Sequence, residues 1–149
     1  VHKIRHFGTK IKFSPVKKVL DGKKVIVIDD SLIRGTTSKK IVKIVRRAGA
    51  KEVHLRISAP PTTSPCFFGI DFPNKKQLIA NNLKLDELAR YLEADSIKYL
   101  SYDGLFKSTG TKTEDFCSAC FDGKYKVMFD SEFFKENLET EQDLFSISY

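Results

Sequence analysis

A chain of 149 residues and 17.0 kDa, 41% apolar and 30% charged, has material for one globular domain and little for two independent cores. Eight Gly and five Pro exclude collagen-like and low-complexity chains, and no apolar run approaches the roughly 18 to 20 residues of a membrane helix, so a soluble protein without a membrane partner is expected. The net charge of +7 is spread unevenly: residues 1–60 hold sixteen Lys and Arg against four acids, and residues 61–149 hold ten against fifteen.

A basic half attracts phosphate whether the phosphate sits on a polymer or on a small metabolite, so geometry must choose between them. Phe7 and Phe13 are the only aromatic rings of Phe, Tyr or Trp type in the first sixty residues, which gives base stacking little to use. A nucleic-acid module is therefore the lesser reading. The chain starts at Val1, and its basic opening to Ser14 lacks the apolar centre of a signal peptide, so a truncated start is expected. Three cysteines are too few and odd in number for a disulfide framework, which points to a reducing compartment, the cytoplasm by default.

The clearest signals run from Lys23 to Arg56. Val25 to Ile28 form a continuous β-branched run between Gly22 and Asp29-Asp30, which predicts a strand buried on both faces of a parallel sheet. After a polar turn, Ser31 to Ser38, the apolar residues Ile41, Val42, Ile44 and Val45 recur at helical spacing, with Lys and Arg on the other face. Gly49 stands where a left-handed helix end is wanted, and Val53 to Ile57 predict a second strand. Strand, helix, strand with a short crossover implies a right-handed parallel connection, hence an α/β class.

Beyond Ile57, Pro60, Pro61 and Pro65 prevent regular structure, and Phe67-Phe68 open a Phe-rich tail. A short helix is predicted over about 86–93, from the acidic Asp86-Glu87 first turn and the apolar Leu85, Leu88, Ala89 and Leu92, and a weaker one near Ser131 to Leu138. The chain divides into an α/β core over 1–60 and a packed extension over 61–149.

The chemistry concentrates in Asp29-Asp30-Ser31-Leu32-Ile33-Arg34-Gly35-Thr36-Thr37-Ser38. In an open α/β sheet, ligands sit beyond the carboxyl ends of strands, where this loop meets a helix N-terminus. Free amides from about Gly35 to Ser38, the hydroxyls of Thr36, Thr37 and Ser38, and the positive end of the helix dipole can converge on one phosphate. Gly35 permits the close approach. Two carboxylates beside such a cradle need separate work, such as binding sugar hydroxyls or Mg²⁺, and a phosphorylated sugar meets both needs. The plainer reading is a capped strand followed by an ordinary turn.

The segment resembles the phosphoribosyl pyrophosphate (PRPP) signature of type I phosphoribosyltransferases, and its Asp-Asp-Ser-Leu-Ile-Arg-Gly-Thr-Thr-Ser form is similar to that of the amidophosphoribosyltransferases of purine synthesis. The likeness continues through Ala48 to His54, Ser58 to Pro61, Cys66 to Asp71, Leu100-Ser101, Gly104-Leu105 and Phe116 to Tyr125, covering about residues 4–127. It implies a partial phosphoribosyltransferase fold, a parallel sheet with flanking helices, and a substrate site of Asp29, Asp30, Ser31, Arg34, Gly35, Thr36, Thr37 and Ser38. By that likeness Asp29 and Asp30 hold the ribose hydroxyls and Mg²⁺, and Ser31 to Ser38 hold the 5-phosphate. Ammonia drawn from glutamine then displaces pyrophosphate, with Arg5, Lys10 or Lys12 as helpers against the leaving charge. The family's N-terminal glutaminase domain, led by a Cys nucleophile, has no counterpart here, so weak or no turnover is expected of this chain alone. A homo-oligomer is also expected.

Cys117-Ser118-Ala119-Cys120 is a C-x-x-C, and Cys66 lies fifty residues earlier. By spacing alone, reduced structural thiols, metal ligands and a redox pair all remain open, the last disfavoured because no strand leads into the pair. In the subgroup of the family that binds a 4Fe-4S cluster, the positions of Cys66, Cys117 and Cys120 match three ligands, and the fourth lies upstream. The resemblance therefore implies a structural cluster at these three residues. The competing function is a PRPP-sensing transcriptional regulator, which needs the loop but no cysteines.

Overall fold

In a computed structural model of the chain, the structure describes residues 14–68 and 74–127. The helix expected near Ser131 to Leu138 lies outside them. A short helix α1 (Lys17–Leu20) leads into strand β1 (Lys24–Asp29), helix α2 (Thr36–Arg47) and strand β2 (Glu52–Ile57). A 3-10 turn (Lys75–Gln77), α3 (Ile79–Asn82) and α4 (Leu85–Leu92) precede strand β3 (Ser96–Tyr99). Helix α5 (Tyr102–Thr109), a second 3-10 turn (Thr113–Asp115) and α6 (Ala119–Asp122) complete the described elements. No helix among them is long and apolar enough to cross a membrane.

The three strands form a parallel sheet in the order β1-β2-β3, with Lys24 opposite Glu52 through Asp29 opposite Ile57, and His54 opposite Ser96 through Ile57 opposite Tyr99. The predicted strand-helix-strand unit is present, and the helix expected over 86–93 appears at Leu85–Leu92, where the Glu87 carboxylate accepts the Lys84 N–H at 2.8 Å. The third strand comes from beyond residue 60, so residues 61–127 contribute to the sheet as well as packing on it.

Alternation sets the core. Val53, Leu55 and Ile57 of β2 point to one face, where they meet Val42 of α2, Leu88 and Leu92 of α4 and Ile97 of β3. Each fully buried aliphatic side chain contributes about 1.5–3 kcal/mol, so this one layer carries much of the fold. The opposite face corrects the expectation of a strand buried on both sides: Ile26 and Ile28 are 62% and 72% exposed. Among the described residues β1 is an edge strand, and only Val25 and Val27 turn toward the helices.

The helix end at Gly49 is as expected. Its φ is +100°, and a Cβ there would run into Asp21. Gly22 N–H donates to the Gly49 carbonyl at 2.8 Å, which ties the entry of β1 to the end of α2.

Candidate functional site

β1 ends at Asp29, and α2 begins only six residues after Asp30, so the Asp-Asp doublet and the helix N-terminus share the carboxyl end of the sheet. The polar turn is shorter than the sequence suggests, because Thr36, Thr37 and Ser38 already belong to the first turn of α2. Gly35 holds the position before it, at φ +74°, and its carbonyl accepts the Lys39 N–H at 2.9 Å. No side chain caps the helix and no acid lies in its first turn, which leaves the first-turn amides for an anion.

Thr36 and Thr37 are exposed at this end, while Ser38 is buried. The Ser38 hydroxyl donates to Asp29 Oδ2 at 3.3 Å, and Asp29 Oδ1 accepts the Asp30 N–H at 3.1 Å. Ser31 donates its hydroxyl to Asp30 Oδ1 at 2.9 Å. Doublet and helix start are thus one hydrogen-bonded unit. Among the described residues no Lys or Arg forms a salt bridge with either acid, so both retain lone pairs for a cation or a sugar hydroxyl.

The loop is braced from beyond residue 60, which the sequence did not reveal. Arg34 Nε donates to Gln77 Oε1 at 3.1 Å, and the Ile79 N–H donates to the Ile33 carbonyl at 2.8 Å. A Cβ on Gly35 would stand 2.7 Å from Ile79 Cδ1 and 3.3 Å from Leu92 Cδ2, so this glycine is required by packing as well as by its φ. Leu32, between the polar residues of the loop, is 2% exposed and anchors it in the core. Arg5, Lys10 and Lys12 lie outside the described residues. At the end of β3, burial pushes the Tyr99 hydroxyl up to about 12.

The cysteines lie in the other structured part of the extension. The Thr63 and Ser64 N–H groups donate to the Cys120 carbonyl at 2.9 and 3.0 Å, the Thr63 hydroxyl donates to the Phe121 carbonyl at 2.9 Å, and Tyr125 donates to the Pro65 carbonyl at 2.6 Å. The Cys66 loop is thereby stapled to the C-x-x-C turn. Burial, then the neighbouring Cys66 and Cys117, push the Cys120 thiol up to about 11. All three are free thiols, with Cys117 exposed and the other two partly covered. Cys120 lies within α6, but a 3-10 turn rather than a strand leads into it. Among the described residues no group of three or more His, Cys, Asp and Glu is gathered for a single metal ion.

No family model matches the chain. Individual proteins do. It is 51% identical over 125 residues to amidophosphoribosyltransferase 1, chloroplastic, of Arabidopsis thaliana, covering 84% of this chain and 22% of that protein. It is 54% identical over 121 residues to the amidophosphoribosyltransferase of Methanocaldococcus jannaschii, covering 81% and 25%. Its fold is similar to that of the glutamine PRPP amidotransferase from B. subtilis, solved with ADP and GMP, at a TM-score of 0.73 and 44% identity over 80% of this chain and 27% of that one. The chain spans about a quarter of the length of the curated relatives it matches. Such identity, carried by a parallel α/β sheet that superposes on a solved member, places this chain in the amidophosphoribosyltransferase family, within its phosphoribosyltransferase part.

Proposed function

We propose that this chain supplies the PRPP-binding half of an amidophosphoribosyltransferase that joins glutamine-derived ammonia to the ribose carbon as pyrophosphate departs. The observation that carries the reading is the Ser38–Asp29 hydrogen bond at 3.3 Å, which locks the acid doublet to an uncapped helix start. The amides of Gly35 to Ser38 and the hydroxyls of Ser31, Thr36 and Thr37 hold the 5-phosphate. Arg34, exposed and fixed at Nε by Gln77, keeps the rest of its guanidinium for that anion. Asp29 and Asp30 orient the ribose hydroxyls.

The two acids fit Mg²⁺, which is held through one or two carboxylates plus substrate oxygens and its own waters, and so needs no three-residue cage. Bound there, the ion would offset the charge of the pyrophosphate. Anchoring the phosphate and the sugar on one rigid unit leaves the anomeric carbon fixed for attack. Weak or no turnover is proposed for this chain by itself, with ammonia supplied by a glutaminase domain and assembly into a homo-oligomer.

The cysteines are assigned as three of the four ligands of a 4Fe-4S cluster, a reading supported by the hydrogen bonds that hold the Cys66 loop against the C-x-x-C turn. Its role there is structural, clamping the extension, since four thiolates leave no open iron. Residues 61–149 form a functional extension of the 1–60 core on this reading: they brace the loop and carry the thiols. A reducing compartment such as the cytoplasm is proposed, because three cysteines are too few and odd in number for a disulfide framework.

The test is PRPP binding by calorimetry with excess Mg²⁺ in the full-length protein. The Asp29→Asn/Asp30→Asn double variant is expected to bind at least tenfold more weakly. Unchanged affinity refutes the reading.

A further inference from the structure

The C-x-x-C turn is held to α5 by a contact that the phosphate loop does not use. Tyr102, the first residue of α5, places its hydroxyl 2.8 Å from Ser118 Oγ and 3.2 Å from Asp122 Oδ2, and those two atoms lie 3.0 Å apart. Ser118 follows Cys117 directly and Asp122 stands two residues after Cys120, so the turn bearing both thiols hangs on this triangle. A carboxylate only accepts, so Ser118 donates to Asp122, and Tyr102 donates to Ser118 or to the carboxylate. The other carboxylate oxygen accepts the Lys124 N–H at 2.8 Å and closes the turn on its far side.

The same elements also meet through rings. Tyr102 packs on Phe106 at 5.0 Å between centroids, and Phe106 on Phe116 at 6.3 Å, with Phe116 directly before Cys117. Ring packing supplies the adhesion and survives loss of a hydroxyl. The hydroxyl's contacts are narrower, reaching only Ser118 and Asp122 of the turn.

We propose that Tyr102 is a positioning residue for the cysteine site: through Ser118 and Asp122 it orients Cys117 and Cys120 toward an iron–sulfur cluster shared with Cys66, and slows the loss of that cluster. This rests on the reading of the three cysteines as ligands. Partners that orient metal ligands typically matter 10–100-fold in metal retention, about the scale expected here.

The experiment uses the full-length protein, reconstituted anaerobically with iron and sulfide, in four forms: wild type, Tyr102→Phe, Ser118→Ala and Ser118→Thr. Cluster loss in air is followed by visible absorbance and by iron content. Tyr102→Phe and Ser118→Ala are expected to lose iron about tenfold faster than wild type, while Ser118→Thr, which keeps a hydroxyl, holds it. Tyr102→Phe and Ser118→Ala are expected to lower the melting of the metal-free forms by no more than a few degrees, the worth of one hydrogen bond. In the metal-free protein, iodoacetamide is expected to label the exposed Cys117 ahead of Cys120, and Tyr102→Phe to narrow that ratio several-fold. A wild-type protein that takes up no iron overturns the ligand reading itself. Wild type that holds iron, beside variants that lose it no faster and keep the labelling ratio, overturns the positioning role alone.

Discussion

Gly35→Ala separates packing from backbone preference at the start of α2. At φ +74° any residue with a Cβ is strained, by about 1–2 kcal/mol, partly offset by the stiffer unfolded chain. The new methyl would also stand 2.7 Å from Ile79 Cδ1 and 3.3 Å from Leu92 Cδ2. Ile79 and Leu92 are 6% and 0% exposed, so the Ile79 methyl can swing only within a filled core, and overpacking adds about 1–2 kcal/mol. Gly110 is the internal control, since it has φ +66° and nothing within 4 Å of its would-be Cβ. Equilibrium urea unfolding is expected to show a loss of about 2–3 kcal/mol for Gly35→Ala and about 1 kcal/mol for Gly110→Ala. Equal losses would mean that α3 and α4 do not press on the loop, and the account of its bracing would fail.

Ser38→Ala removes the tether between α2 and Asp29, and PRPP affinity is expected to fall about fivefold by calorimetry, the worth of one hydrogen bond. Leu55→Ala, at a fully buried position, is expected to cost about 2–5 kcal/mol in urea unfolding, whereas Ile28→Thr on the open face changes stability by no more than about 0.5 kcal/mol. The Asp95 carboxyl is held below its ordinary 3.8, first by the Val53 N–H at 2.6 Å and also by Arg46, against the opposing effect of burial. A lowered folded value stabilises above the unfolded one and is lost as pH falls through the folded one, so Asp95→Asn is expected to flatten the acid limb of the stability curve below about pH 4.

The parts of the fold legible in the sequence are those whose pattern is long and local. Val25 to Ile28, the amphipathic run to Val45 and the Gly49 stop mark β1 and α2 without reference to the rest of the chain. β3 escapes because Ser96–Tyr99 is only four residues long and its pairing with β2 is set at long range. α5 left a readable trace, since Ser101 caps it by accepting the Gly104 N–H at 3.0 Å and Gly110 ends it. Among the described residues one face of β1 is open, since a β-branched run states preference for a strand and not what covers its two faces. In the site, the acids and the glycine-led helix start could be read from their order. Gln77 and Ile79 could not, because their roles exist only once α3 and α4 fold back on the loop.

Part of the uneven charge is paired within the fold. Four basic residues of the first half take acids as partners: Lys39 and Lys43 reach Glu93 at 3.9 and 3.0 Å, Arg46 reaches Asp95 at 2.6 Å, and Lys24 reaches Glu52 at 2.8 Å. Glu93 and Asp95 both come from the acidic half. Lys39 additionally lies over the Tyr91 ring at 4.2 Å. Surface pairs of this kind add little stability, about 0–1 kcal/mol each, but they give three of the five cations of α2 an acid of the same chain. A helix with most of its cations paired in this way is a weaker platform for a nucleic-acid backbone than its charge suggests. Its N-terminus carries no side-chain cap and no acid in its first turn, and on the proposed reading its amides take the phosphate while Asp29 and Asp30 add a requirement for a sugar or a divalent cation. On that reading, the same +12 half that suggests a polymer on charge alone serves one small phosphorylated ligand.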